Sequence, residues 1–220
     1  MRAPAPPRPA VPGGPPLEGT LGTLNLISGA IGLWLKHLCS RLDHLDLELI
    51  GSGRALLAGQ LEGVRLEARG VVIEGIALNH VQLRSDPIRL DLGPLLRGRP
   101  LQLRERFVVT GSVCLDGDGL NQSLAHPAWR RFSDTLAMAL LQRPGLDRYE
   151  LEGEQLTVVG DDGRRAPCRL VVRNGGLCTE PGDLAVPLDP AMQINDVVCR
   201  DGRIELSGRS IVSAAGAAPG

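Results

Sequence analysis

The sequence predicts an α+β protein with a long N-terminal helix, a meander of antiparallel strands, a helical pair in mid-chain and C-terminal hairpins. Three observations lead there. From Leu24 to Leu45 apolar residues recur every three or four positions, the spacing of one helical face. From Val64 to Leu92, and again after Tyr149, apolar residues alternate with charged ones, the period of half-buried strands. Between Asp116 and Gly145 the period returns to that of a helix. At 220 residues the chain can bury a sizeable core.

Residues 1–20 are rich in Pro and Gly with little to bury, and are expected to form a disordered tail. Residues 21–213 form one domain and 214–220 a flexible end. The helix is expected over about Thr23–Leu42, with Leu24, Ile27, Ile31, Leu35, Leu38 and Leu42 on its stripe. Its first half is apolar nearly all round, because Leu26, Ala30, Leu33 and Trp34 fill the other faces, so it is read as buried on several sides rather than dipped into a membrane surface. The uncharged run Gly19–Leu35 is too short and too rich in glycine for a bilayer span. No apolar region follows directly on the basic start, so a signal peptide is not expected.

The strand region poses a question. In "VVIEGIALNHVQLRSDPIRLDL", odd positions Ile73, Val81 and Leu83 mark one apolar face, but Ile76 and Leu78 fall on the other. Either the strand slips phase through a bulge near Asn79 and His80, or it is apolar on both faces. "GPLLRGRP", Gly93 to Pro100, reads as a breaker-rich connection, with strands resuming near Leu101 and Phe107. Leu120, Leu124, Phe132, Leu136 and Leu140 then share a helical row, with Asp118 as N-cap, Pro127 dividing a short helix from a longer one, and Pro144-Gly145 as the stop. "GDDG", "NGG" and "RDG" mark turns, and Asp201-Gly202 between apolar runs signals a hairpin.

Composition narrows function. A net charge of −1 gives no electrostatic reason to expect nucleic acid, and two Trp, one Tyr and two Phe leave little for base stacking. Cys39, Cys114, Cys168, Cys178 and Cys199 form no C-x-x-C pair and read as reduced thiols among apolar neighbours. The four histidines show no metal-ligand spacing, "GSGRAL" lacks the third glycine of a dinucleotide fingerprint, and "DGDGLN" lacks the later ligands of a calcium loop. No catalytic arrangement is legible, so no enzyme activity, cofactor or metal is expected.

The order of elements resembles the bacterial LmeA-like phospholipid-binding proteins. The resemblance runs from about Leu33 to Val212 and is carried by dispersed residues in "LLAGQLEGVRLEARG", "LRGRPL", "LDGDGLNQSL" and "INDVVCRDGRIELSG". It implies a helix lying along a curved antiparallel sheet, with an apolar groove between them for acyl chains. On that basis the groove is expected to be lined by Leu66, Ile73, Gly75, Ala77, Val81, Leu83, Ile88 and Leu90 from the strands and by Leu26, Ile31 and Trp34 from the helix. The basic residues Arg97, Arg99, Arg104 and Arg106 are either a solvated loop or contacts for a phosphate head group. The expected partner is a phospholipid or similar amphiphile, with a membrane surface as a further contact, and the expected location is cytoplasmic. The competing expectation is an interaction protein whose groove is filled by its own helix, and a lipid hydrolase comes third.

Overall fold

The computed structural model describes residues 27–29, 31–33, 35–36, 38–98 and 102–213. Six strands form the principal sheet, in the spatial order β1 (Arg41–Ile50), β3 (Gly63–Ile73), β4 (Ile76–Ser85), β7 (Phe107–Asp116), β13 (Arg203–Val212) and β12 (Met192–Arg200). Every neighbouring pair is antiparallel. A second sheet runs β11 (Gly176–Glu180), β10 (Arg165–Arg173), β9 (Gln155–Gly160), β8 (Leu146–Glu152). A small third one joins β2 (Gln60–Leu61), β5 (Ile88–Asp91) and β6 (Gln102–Leu103). The labelled helices are α1 (Gly53–Leu57), α2 (Leu92–Leu96), α3 (Gly117–Ser123) and α4 (Pro127–Leu141).

This architecture is mostly β, with only short helices, and corrects the α+β expectation. Among the described residues no long helix covers Thr23–Leu42. Arg41 and Leu42 already belong to β1, and helical conformation is described only at 27–29, 31–33, 35–36 and 38. Leu42 and Leu45 continue the helical spacing, but Leu45, Leu47 and Leu49 equally satisfy a strand, and pairing with β3 from Arg41 to Ile50 decides between them. Long-range hydrogen bonding outweighs a weak local preference. The expected tail and C-terminal end lie outside the described residues.

The mid-chain pair forms as α3 and α4, divided before Pro127, which sits in the first turn of α4. The cap of α3 is Asp116 rather than Asp118: its carboxylate accepts from Gly119 N at 2.9 Å. Asp201 and Gly202 both have positive φ (52° and 69°), the geometry of a two-residue hairpin turn, and join β12 to β13.

The phase question has a structural answer. β3 pairs with β4, and β1 with β3, without any register shift: Leu42, Val71 and Leu78 lie in one row, and Leu45, Ala68 and Val81 in another. These rows sit an odd number of residues apart, yet all six side chains pack in one apolar cluster. Gly70, between them, has φ 59°, and this left-handed residue resets which side the following chain presents. A Cβ there would meet Asp43 Oδ2 at 2.1 Å. The pairing shows no register shift near Asn79, and the change of phase in β4 falls opposite Gly70.

Three apolar clusters make the core. Leu136, Ala137 and Leu141 of α4 pack on Leu146, Tyr149, Leu156, Val158 and Cys168 of the second sheet. Ile27 is buried with Leu56, Leu61, Val64, Ile88 and Leu90, where the third sheet meets the end of the principal one. Leu35 and Cys39 cover Leu66, Ala68, Val71 and Val81.

Candidate functional site

Register places two apolar rows across all six strands of the principal sheet. One runs Leu47, Leu66, Leu83, Gly111, Gly208, Ile194; the next runs Leu45, Ala68, Val81, Val113, Leu206, Val197. Neighbouring positions carry charge instead: Glu67 accepts from Arg69 at 2.9 Å and meets His80 Nε2 at 3.0 Å. Over β1, β3 and β4 the apolar rows are covered by the N-terminal helical stretch through Ile31, Leu35 and Cys39. Over β7, β13 and β12 they stay half-buried.

The helical stretch has a second face. Gly29, Gly32, Leu33 and Lys36 stand at i, i+3, i+4 and i+7, and together with Leu42, Asp43, His44 and Leu45 of β1 they line a cleft of about 430 Å³. A Cβ added to Gly29 or Gly32 would meet no atom within 4 Å, so the cleft owes its width to these glycines. Leu33 is 66% exposed. A smaller cavity of about 240 Å³ lies between α1 and β5, lined by Ala55, Gln60, Leu61, Glu62, Pro87, Ile88 and Arg89.

Charge at the mouth of the larger cleft is uneven. Arg41 grips Asp43 with two hydrogen bonds, Nε to Oδ1 at 2.9 Å and the terminal nitrogen to Oδ2 at 2.6 Å, and these hold the Asp43 carboxyl below its usual range. Lys36 and His44 have no ion-pair partner among the described residues, and with Asp43 held by Arg41 the lining keeps the charge of Lys36. The lining thus sets Leu33, Leu42 and Leu45 beside a cation. The thiols offer little nucleophilic chemistry: burial pushes Cys168 up to about 11 and also raises Cys39, Cys114 and Cys199.

The residues expected to line a groove fall into separate places. Leu66, Val81 and Leu83 lie in the cluster under the helical stretch, while Ile88 and Leu90 are buried with Ile27, and Ile31 packs against them. Ile73 pairs with Ile76 at the hairpin tip. Gly75 lies in the turn against His126, whose Cβ stands 2.3 Å from where a glycine Cβ would be, and the Ala77 carbonyl abuts Gly119. Leu26 and Trp34 lie outside the described residues.

Of the basic residues, Arg97 and Arg104 both lie around Asp91 and Gly93. Arg97 Nε donates to Gly93 O at 3.0 Å and Arg104 stands 3.5 Å from Asp91 Oδ1. Arg106 is exposed, and Arg99 lies outside the described residues. Sequence reasoning missed Gly29, Gly32, Leu33, Lys36, Leu42, His44 and Leu45 as a set. The signal available was a pair of glycines three apart beside a leucine and the chain's one lysine, at helical spacing.

Residues 20–209 match the LmeA-like phospholipid-binding family, and the chain belongs to that family. No curated protein and no solved structure matches the chain. Among the described residues no helix is long and apolar enough to cross a membrane.

Proposed function

We propose that this member of a phospholipid-binding family carries a phospholipid or similar amphiphile without chemistry, with an acyl chain seated between the N-terminal helical stretch and β1. The observation that carries this reading is the glycine-widened cleft beside two apolar rows. Its volume of about 430 Å³ falls near the low end of small-molecule sites, which suits a single chain.

Length sharpens the reading. Gly29 and Lys36 stand seven positions apart, about 10 Å at a helical rise of 1.5 Å per residue. An acyl chain reaches about 15 Å, half the hydrocarbon thickness of a bilayer. Its end therefore extends past the cleft, and the row that begins at Leu45 offers the next apolar surface. Each CH₂ taken from water contributes about 0.8 kcal/mol, but a bilayer offers the same, so extraction needs walls nearly as dry.

Mass spectrometry of organic extracts from purified protein, with transfer of labelled phospholipid between vesicles, tests this. Copurifying lipid and accelerated transfer are the expected results. The burial of Ile27 and the cover given by Leu35 favour one rival, a sheet face filled by the chain itself with a protein partner elsewhere. Lipid-free extracts with no transfer would establish the rival.

A further inference from the structure

We propose that Lys36, with His44 as a second donor, meets the head group of the bound lipid where it leaves the cleft, so that the site favours amphiphiles whose head groups carry net negative charge. This rests on the lipid-carrying reading above. Both residues line the cleft, Lys36 from the helical stretch and His44 from β1, and both are exposed. A phosphate attached to a chain lying between Gly29, Gly32 and Leu45 emerges into water between them.

The neighbouring charges leave these two available. Asp43, the carboxylate in the lining, is neutralised by its paired contact with Arg41. Arg69, which pairs with His44 across β1 and β3, is held by Glu67 at 2.9 Å. Among the described residues the lining thus carries Lys36 uncompensated, with His44 as a second donor.

The basic residues around α2 are a poorer fit. Arg97 donates to its own helix and Arg104 faces Asp91. They stand near Leu92, Leu103 and Phe107, which pack at the Ile27 end of the helical stretch, whereas the cleft opens beside Leu42 and Leu45, toward the Leu35 end.

The test compares vesicles of phosphatidylcholine with vesicles that also contain phosphatidylglycerol, alongside a neutral fluorescent fatty alcohol. Lys36→Gln combined with His44→Gln should lower affinity for the anionic vesicles about fivefold, the scale of an exposed charge contact, while lowering alcohol uptake by less than about twofold and leaving the thermal midpoint unchanged. Lys36→Arg with His44 intact should retain the preference, as should Arg97→Gln combined with Arg104→Gln. Inorganic phosphate should not compete at concentrations that leave charge screening unchanged.

The inference is overturned if the double variant keeps its anionic preference, if it loses both ligands equally, or if the Arg97 and Arg104 variant loses the preference instead. Displacement by inorganic phosphate also overturns it, by marking a free-anion site. Alcohol uptake without anionic preference in the unaltered protein defeats this inference alone. Absence of alcohol uptake defeats the carrying reading and this inference with it.

Discussion

Two helix-on-sheet layers in this molecule use the same materials to opposite ends. Where α4 covers the second sheet, Leu146 and Val158 are 0% exposed and Leu136 is 1% exposed. Phe132, Leu136, Ala137, Leu140 and Leu141 send bulk into that contact from one helix. Where the N-terminal stretch covers the principal sheet, Ile27, Ile31 and Leu35 pack downward, but Gly29 and Gly32 leave room at the side. The difference is side-chain volume at helical spacing. One layer is sealed and specifies the fold; the other keeps an apolar space that a ligand can take up.

The sharpest way to break this comparison is to truncate each layer alike. Leu146→Ala in the sealed layer should cost about 2–5 kcal/mol, because neighbours there cannot collapse freely into the space. Leu83→Ala, at a half-buried position under the helical stretch, should cost about 1 kcal/mol less than the lower end of that range and weaken uptake of the fatty alcohol. Denaturant unfolding of both variants measures this. Equal losses would show that the principal sheet is as tightly sealed as the second.

Alkali should also find the sealed layer. Burial pushes the Tyr149 phenol up to about 12 and the Cys168 thiol up to about 11, from 10.0 and 9.0. Each group is neutral when protonated, so above pH 9 the unfolded chain releases protons that the folded one retains. Stability is therefore full below pH 9 and falls from there toward pH 12. The chain has one tyrosine, so tyrosinate absorbance reports Tyr149 alone and should rise together with loss of structure. A separate rise near pH 10 in folded protein would mean that this core admits water.

The two layers were unequally legible in sequence. The row Leu120, Leu124, Phe132, Leu136, Leu140, broken at Pro127, predicts α3 and α4 because local period and proline chemistry agree with the tertiary contact. The N-terminal helix was overextended because Leu42 and Leu45 fit both a helix and a strand, and only pairing with the distant residues of β3 resolves them. The phase change falls at Gly70 and at the positions opposite it, and a single glycine in a strand pattern does not announce whether it marks such a change. The cleft was missed for a related reason. Large apolar residues draw attention as a lining, whereas here the space comes from the residues with no side chain.

That contrast predicts a substitution with opposite effects on folding and uptake. Gly32→Leu places a side chain where a Cβ meets nothing within 4 Å. Replacing a helical glycine should stabilise the fold by about 0.5–1 kcal/mol, while the leucine fills the cleft and abolishes alcohol uptake. A higher thermal midpoint with uptake intact would place the ligand elsewhere on the sheet.

The smallest effect on stability is expected at Leu33, and it separates the wall of the cleft from its rim. Leu33 is 66% exposed, so Leu33→Asp should leave stability within about 0.5 kcal/mol, as surface substitutions do. Bound hydrocarbon would meet a carboxylate in place of a leucine, and alcohol uptake should weaken several-fold. The new carboxylate also stands three residues before Lys36, close enough on a helix to pair with it and withdraw its charge from the mouth. Anionic vesicles should therefore suffer more than the neutral probe. Leu33→Ser removes the same apolar contact without adding charge, and should weaken both ligands to the same degree. Thermal melts and the two binding measurements on this pair of variants test both parts. A clear drop in thermal midpoint would mean that Leu33 packs inside the protein. Equal losses for aspartate and serine would leave Lys36 without a part in head-group selection.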